Sequence, residues 1–380
     1  MKSSNLHMGI IGAGGFAQFA ARAFVKVPGI ELAGVTDINK KAALELGGAF
    51  GIRVYEDFDQ TIGDDNIDLL YIATPPWLHY TQSRNALLAG KHVICEKPAA
   101  LTTSEAEELR QLARSRNLLY VVNLIQRYNP LFSIVKKIIN NRLLGNFLHG
   151  FFENYASDEK LVPDHWFWDE TKSGGIFIEH GVHFFDLFEG WLGEGKLVSA
   201  LQLHRPDISL SIVDRVQATV LYEDGVVNFY HGFDQARILD RQEMRIEFER
   251  GEISLYEWVP VRMKLYGILE TGQLKKLRDM LPESSILHAQ KDMPKHTQQD
   301  KPKQTSARFK EFIAEDHITL NYENDLGKEK LYQQMLSTML TDQLAWIQSH
   351  DHARVIDDNN ALRSLGMAVQ ADRMAKNFNY

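Results

Sequence analysis

Met8-Gly9-Ile10-Ile11-Gly12-Ala13-Gly14-Gly15-Phe16-Ala17 decides the fold. A short apolar strand runs directly into G-x-G-x-x-A, and Phe16, Ala20, Ala23, Phe24 and Val27 then mark one apolar side of a helix. Gly12 permits a tight turn, Gly14 lets main-chain N–H groups approach a pyrophosphate, and Ala17 lets helix and strand pack closely. Gly15 and Phe16 open the helix, whose N-terminus faces the anion. Residues 31–36 read as the next strand, ending in Asp37. A carboxylate there accepts both ribose hydroxyls of NAD and repels the 2′-phosphate of NADP. The lesser reading is a cap for the helix that begins near Asn39. NAD is therefore the expected cofactor, with NADP kept open.

Working outward, strand patterns recur at residues 52–54, 68–72, 93–95 and 118–122, each separated by a helical pattern. Six strands in βα alternation predict a doubly wound parallel sheet with right-handed crossovers. Thr102, followed three residues later by Glu105, forms a capping box that starts one of the helices. In His92-Val93-Ile94-Cys95-Glu96-Lys97-Pro98, the apolar run reads as a buried strand, which puts Glu96-Lys97-Pro98 at its carboxyl end, where open α/β sheets bind ligands. A lysine there can polarise an oxygen or give up a proton, or it can simply face water. Ala73-Thr74-Pro75-Pro76-Trp77-Leu78-His79 follows the fourth strand on the same edge. Thr74 can line a nicotinamide ribose there, while a proline-stiffened turn with packed Trp77 is the plainer reading.

Composition narrows the class. With 380 residues, two domains are expected. Lys and Arg number 42 against 50 Asp and Glu, a net charge of −8, and no dense basic run is interleaved with aromatics, so nucleic acid is not an expected partner. Cys95 is the single cysteine, which excludes intrachain disulfides and leaves no thiolate cluster for a metal. No apolar leader region precedes the first strand, and no run is long enough to span a membrane. A cytoplasmic protein without membrane partners is expected.

Gln126-Arg127-Tyr128-Asn129-Pro130 leaves the sixth strand and enters a helix running to about Asn141, after which Gly145 marks a change of pattern. Alternation around Asp224-Gly225 and Arg250-Gly251 predicts hairpins of an antiparallel sheet. Before them lies Ser173-Gly174-Gly175-Ile176-Phe177-Ile178-Glu179-His180-Gly181-Val182-His183-Phe184-Phe185-Asp186. Helical spacing puts Glu179, His183 and Asp186 on one face of a mostly apolar helix. Ionisable groups on such a helix must be paired or functional. A histidine beside a carboxylate is a general-base arrangement, a structural network is the alternative, and metal binding through His180 and His183 lacks the H-E-x-x-H pattern. No metal is expected.

Gly12-Ala13-Gly14-Gly15, Ala73-Thr74-Pro75 with His79, and above all Glu96-Lys97-Pro98 resemble the Gfo/Idh/MocA oxidoreductases, the group of glucose-fructose oxidoreductase and inositol dehydrogenase. The 173–186 segment is similar to the family's second signature, with Glu179 where an Asp is usual, and His165-Trp166-Phe167-Trp168-Asp169 resembles its Trp-Arg-x-Asp segment with Phe167 in place of arginine. Pro76 stands where members often carry Asn. The resemblance implies a catalytic Lys97 preceding a cis bond to Pro98, a catalytic His183 oriented by Glu179, and an open-faced sheet that joins subunits into a homodimer or homotetramer. Gly12, Gly14, Gly15, Phe16, Ala17, Asp37, Thr74, Pro75, His79, Glu96 and Lys97 are then the expected cofactor contacts. Lys97, Arg127, Trp166 and His183 are the expected substrate contacts, aromatic faces suiting the C–H surface of a sugar or polyol.

The expected architecture is an N-terminal Rossmann domain over residues 1–125 and a C-terminal α+β domain over 126–380, closed by helices in 328–380. The expected activity is NAD(P)-dependent hydride transfer to or from a secondary alcohol of a sugar, sugar acid or cyclitol. Its rivals are an NAD-dependent glycoside-cleaving enzyme of the same fold and a non-catalytic dinucleotide-binding regulator. The polar stretch 291–305 reads as a lid, an interface arm or a loop.

Overall fold

Short apolar segments that cannot bury both faces alone assemble into two large sheets and a two-stranded one, seen in a computed structural model that describes residues 5–205, 212–270, 272–281, 288–291, 303–314 and 316–377. The first sheet holds β1 (Leu6–Ile11), β2 (Ile30–Thr36), β3 (Arg53–Val54), β4 (Leu69–Ile72), β5 (His92–Cys95) and β6 (Tyr120–Val122), all parallel, in the order β3-β2-β1-β4-β5-β6. That order reverses between β1 and β4, and the crevice at the carboxyl ends of those strands is where such sheets bind ligands. The doubly wound fold read from the sequence is present.

Helices α1 (Gly15–Phe24), α2 (Lys40–Phe50), α3 (Phe58–Ile62), α4 (Pro76–Leu88) and α5 (Thr103–Ser115) make the crossovers. Small residues let α1 lie close to the sheet, with Ala17, Ala20, Ala21, Ala23 and Phe24 buried. Thr102 caps α5 reciprocally with Glu105.

Two compact units divide the chain, and they cut across the contiguous 1–125 and 126–380 division. The first comprises residues 1–128, 163–186 and 332–373. Packing explains the return of 332–373 to it. In the helix Gly327–Gln348, the Tyr332 ring lies 5.3 Å from Phe19 and Ser337 Oγ donates to the Ala23 carbonyl at 3.1 Å, covering α1. In the helix Asp358–Lys376, Asp358 accepts from Arg114 Nε at 2.5 Å, fastening α5. The closing helices thus belong largely to the parallel-sheet unit.

The second unit is built on β7 (Phe147–Ser157), β8 (Lys196–His204), β9 (Val213–Leu221), β10 (Val226–Gln235), β11 (Arg241–Phe248), β12 (Gly251–Tyr256), β13 (Arg262–Leu269), β14 (His288–Lys291) and β17 (Asp316–Glu323), with β15 (Lys303–Ala307) and β16 (Lys310–Ala314) forming a separate pair. The order is β14-β17-β13-β12-β11-β7-β10-β9-β8, antiparallel except for β7 with β10. Burial alternates along β9, β11 and β13, so Val216, Ala218, Met244, Ile246, Met263 and Leu265 face a core. Phe188 meets Phe229 edge-on at 5.2 Å, and Trp191 donates to the Phe132 carbonyl in α6 (Pro130–Asn140) at 3.1 Å. Residues 292–302, most of the polar stretch noted above, lie outside the described residues. Among the described residues no helix is long and apolar enough to cross a membrane.

Candidate active site

The glycine turn is shaped from within. Gly12 has φ +93°, and a Cβ there would stand 2.8 Å from the Ala73 carbonyl, so only glycine fits beside the turn that follows β4. At Gly14 and Gly15 a Cβ would meet nothing within 4 Å. Those two glycines keep an open cradle at the start of α1, where Gly14 is the N-cap and no side chain occupies the first-turn N–H groups. The cradle fits a pyrophosphate. Phe16 is half-buried against Phe19 and Tyr332, and Ala17 is buried under the helix.

Asp37 ends β2 and closes this turn. Its Oδ2 accepts from Ala13 N at 2.6 Å and its Oδ1 from Asn39 N at 2.7 Å, while Asn39 caps α2. Asp37 is therefore not the N-cap, and its remaining lone pairs suit ribose hydroxyls. Neighbouring Lys40 and Lys41 are engaged by Glu56 and Glu45.

After β4, Thr74 Oγ1 donates to Gln82 at 2.6 Å, and Pro75 and Pro76 start α4. His79, 1% exposed, points both ring nitrogens at main-chain carbonyls, Nδ1 to Pro98 at 2.7 Å and Nε2 to Thr74 at 2.6 Å. Its nitrogens thus serve the protein's own backbone, a different placement from the cofactor contact expected of it. After β5, Glu96 Oε1 accepts from the Tyr71 hydroxyl and from Asn123 Nδ2. Burial raises the Glu96 pKa against the opposing pull of those two donors. Tyr71 and Asn123 escaped the sequence reading. Tyrosine inside an apolar strand signals nothing beyond core, whereas a polar Asn123 just past β6 was a usable sign.

Lys97, whose bond to Pro98 is cis, reaches the returning segment 163–186 of the same unit. Its Nζ donates to the Glu179 carboxylate and, at 2.8 Å, to the Glu179 carbonyl. Residues Phe177–Gly181 form a π-turn ahead of the helix Val182–Leu192, so the even 3.6-residue spacing assumed for Glu179, His183 and Asp186 does not hold. The widened turn commits Glu179 to Lys97, and Asp186 pairs instead with Arg127, whose Nε donates at 2.8 Å. Arg127 is nearly buried in that pair rather than presented to a ligand. The imidazole orientation expected of Glu179 is thereby replaced by a hold on the lysine.

His183 is 4% exposed. Burial, then the Lys97 ammonium and His180, hold its pKa well below the ordinary histidine value, and burial with Lys97 takes His180 down to about 3. Both rings are neutral at pH 7. Trp166, half-exposed on a short 3₁₀ turn, meets Trp77 of α4 edge-on at 5.7 Å. Among the described residues no group of three or more His, Cys, Asp or Glu could hold a metal.

Two family descriptions match this chain, "Oxidoreductase family, NAD-binding Rossmann fold" over residues 6–124 and "GFO/IDH/MocA C-terminal domain" over residues 132–254. The chain belongs to the Gfo/Idh/MocA family. Glucose-6-phosphate 3-dehydrogenase of Bacillus subtilis is 32% identical over 184 residues, covering 47% of this chain and 52% of that protein. The match thus spans about half of that relative's length. Among solved structures, the WlbA dehydrogenase of Bordetella pertussis, in complex with NADH and UDP-GlcNAcA, superposes with a TM-score of 0.77 at 17% identity over 99% of this chain and 97% of its own. KijD10, a 3-ketoreductase of Actinomadura kijaniata bound to NADP, gives 0.70 at 17% identity over 98% of each chain. At these identities the superpositions speak for the Gfo/Idh/MocA fold alone.

The neutral His183 links the site to stability. Below about pH 6.5 the unfolded chain protonates this histidine while the folded site takes up the proton only at lower pH, so its contribution to stability is complete above that pH and is lost as pH falls, by about 1.4 kcal/mol per unit. Urea unfolding of wild type and His183→Asn from pH 7 to 5 should show a shallower loss in the variant. Equal slopes would mean that His183 titrates normally in the folded protein.

Proposed function

We propose that the protein is an NAD-dependent dehydrogenase that moves a hydride between the cofactor and a secondary alcohol carbon of a sugar, sugar acid or cyclitol. The observation that carries this reading is the Lys97 ammonium, held by Glu179 at the carboxyl edge of the sheet near a buried neutral His183. When bound, the nicotinamide supplies the hydride acceptor, C4. Gly12, Gly14, Gly15 and Phe16 would hold its pyrophosphate, Asp37 its adenosine ribose, and Thr74, Pro75 and Glu96 the nicotinamide side.

In the oxidising direction, His183 takes the hydroxyl proton on a ring nitrogen as the C–H bond gives up its electron pair with the hydrogen. Lys97 donates a hydrogen bond to the same oxygen as it becomes a carbonyl. Glu179 keeps the ammonium aimed at that oxygen, and Trp166 offers an aromatic face to the ring carbons. The reverse reduction uses the same groups, with His183 returning the proton.

Lys97→Met keeps the stem of the side chain and removes the ammonium. With NAD and a panel of polyols and sugars, followed by the near-ultraviolet absorbance of reduced nicotinamide, turnover should fall by roughly 10²–10⁴ while NAD binding survives. His183→Ala should fall similarly, and the double variant should lose less than the product of the two. Normal turnover by Lys97→Met would remove the lysine from the chemistry.

Asp37 would face the 2′-phosphate of NADP, and Lys40 and Lys41 are already engaged by Glu56 and Glu45. Like-charge juxtaposition of this kind costs several kcal/mol, so NADP should bind at least about tenfold more weakly than NAD in a calorimetric titration. Equal or tighter NADP binding would overturn the role of Asp37.

The second sheet turns Gln217, Thr219, Glu243, Arg245, Lys264 and Tyr266 away from its core, Tyr266 being 52% exposed. A second copy covering this face would give a homodimer or homotetramer. Sedimentation at micromolar concentration should find no monomer as the main species, and a monomer would exclude that use of the face.

A further inference from the structure

We propose that His79 is a positioning residue for Lys97, a buried strut that ties the turn after β4 to the turn after β5. The inference rests on the role of Lys97 given above. Thr74 lies two residues past the end of β4, and Pro98 directly follows Lys97, so one imidazole spans the two loops that flank the ligand edge. Its contacts are 2.6 Å to the Thr74 carbonyl and 2.7 Å to the Pro98 carbonyl. With the ring 1% exposed, water has little room to replace it. The neutral imidazole carries one N–H, which it donates to one of these two carbonyls while its other nitrogen packs against the second, and a residue that only filled space would leave the accepting carbonyl without its donor.

The ring is also electrically part of the site. Burial lowers its pKa, the two carbonyls push it back up, the Lys97 ammonium lowers it and the Glu179 carboxylate raises it. His79 therefore feels both members of the ion pair whose backbone it steadies. Moving Pro98 moves the stem of Lys97, and Lys97 has its two acceptors on a different segment, so a small shift of the loop separates ammonium from carboxylate.

The test uses the full chain with His79→Phe, which keeps a ring and removes the N–H donor, and His79→Gln, which keeps an amide donor able to reach one carbonyl. Acetylation of Lys97 by an amine-reactive ester, followed by peptide mass spectrometry against the exposed Lys41, reads how firmly the ammonium is held without any substrate. Loss of one net hydrogen bond corresponds to roughly a fivefold rise in labelling for His79→Phe, with His79→Gln between it and wild type. NADH binding, followed by fluorescence, should stay within about twofold. With a turned-over polyol, kcat should fall on the order of tenfold or more while KM changes little, the split expected of a displaced transition-state group.

A folded His79→Phe with wild-type labelling of Lys97, even at a lower melting temperature, would make His79 a structural residue and overturn the inference. Should His79→Phe not fold, His79→Gln decides on the same labelling criterion. Failure to find any oxidised polyol would count against the proposed activity and leave the labelling result standing by itself.

Discussion

The contact between the Lys97 ammonium and Glu179 joins residues 82 positions apart in the chain, and the site is organised around it. Both side chains are mostly buried, at 18% and 13% exposure. Taking two charges out of water costs about as much as their attraction returns, so such a pair contributes arrangement more than stability. The arrangement is specific: a lysine at the end of one strand is satisfied by the carboxylate and the carbonyl of the same residue, in a π-turn that departs from regular helix.

The charge pattern around that contact is economical. Burial first, and then the nearby Lys97 ammonium that disfavours a second positive charge, keeps His180 and His183 neutral. A neutral imidazole is the form that can accept a proton. On the other side of Lys97, Glu96 is held by Tyr71 and Asn123, and His79 lies between two carbonyls and donates its one N–H to one of them, so the polar atoms along the strand ends are tied to the scaffold. A site built on such fixed groups loses little entropy when a substrate arrives.

The long return of the chain is what makes this possible. Segment 163–186 and the closing helices join the parallel-sheet unit, while the sheet of β7 to β14 and β17 forms a unit with its own core. Apolar faces drive both returns, through Tyr332 on Phe16 and Phe19 and through Trp166 on Trp77.

What the sequence by itself determined is the part governed by local rules. Strand, glycine turn and helix around Gly12 and Gly14, the capping box at Thr102, and the alternation of β9 and β11 depend on neighbours within a few residues, and each was legible in the order of residue types. Tertiary structure decided the partners. An even helical period cannot announce a π-turn, so the sequence paired Glu179 with His183, whereas the folded chain gives Glu179 to Lys97 and Asp186 to Arg127. Nor could it show that both nitrogens of His79 face backbone carbonyls from two loops. Hydrogen-bond and charge partners distant in sequence are chosen by packing and by the cost of leaving a buried polar group unpaired, and neither quantity is written in local spacing.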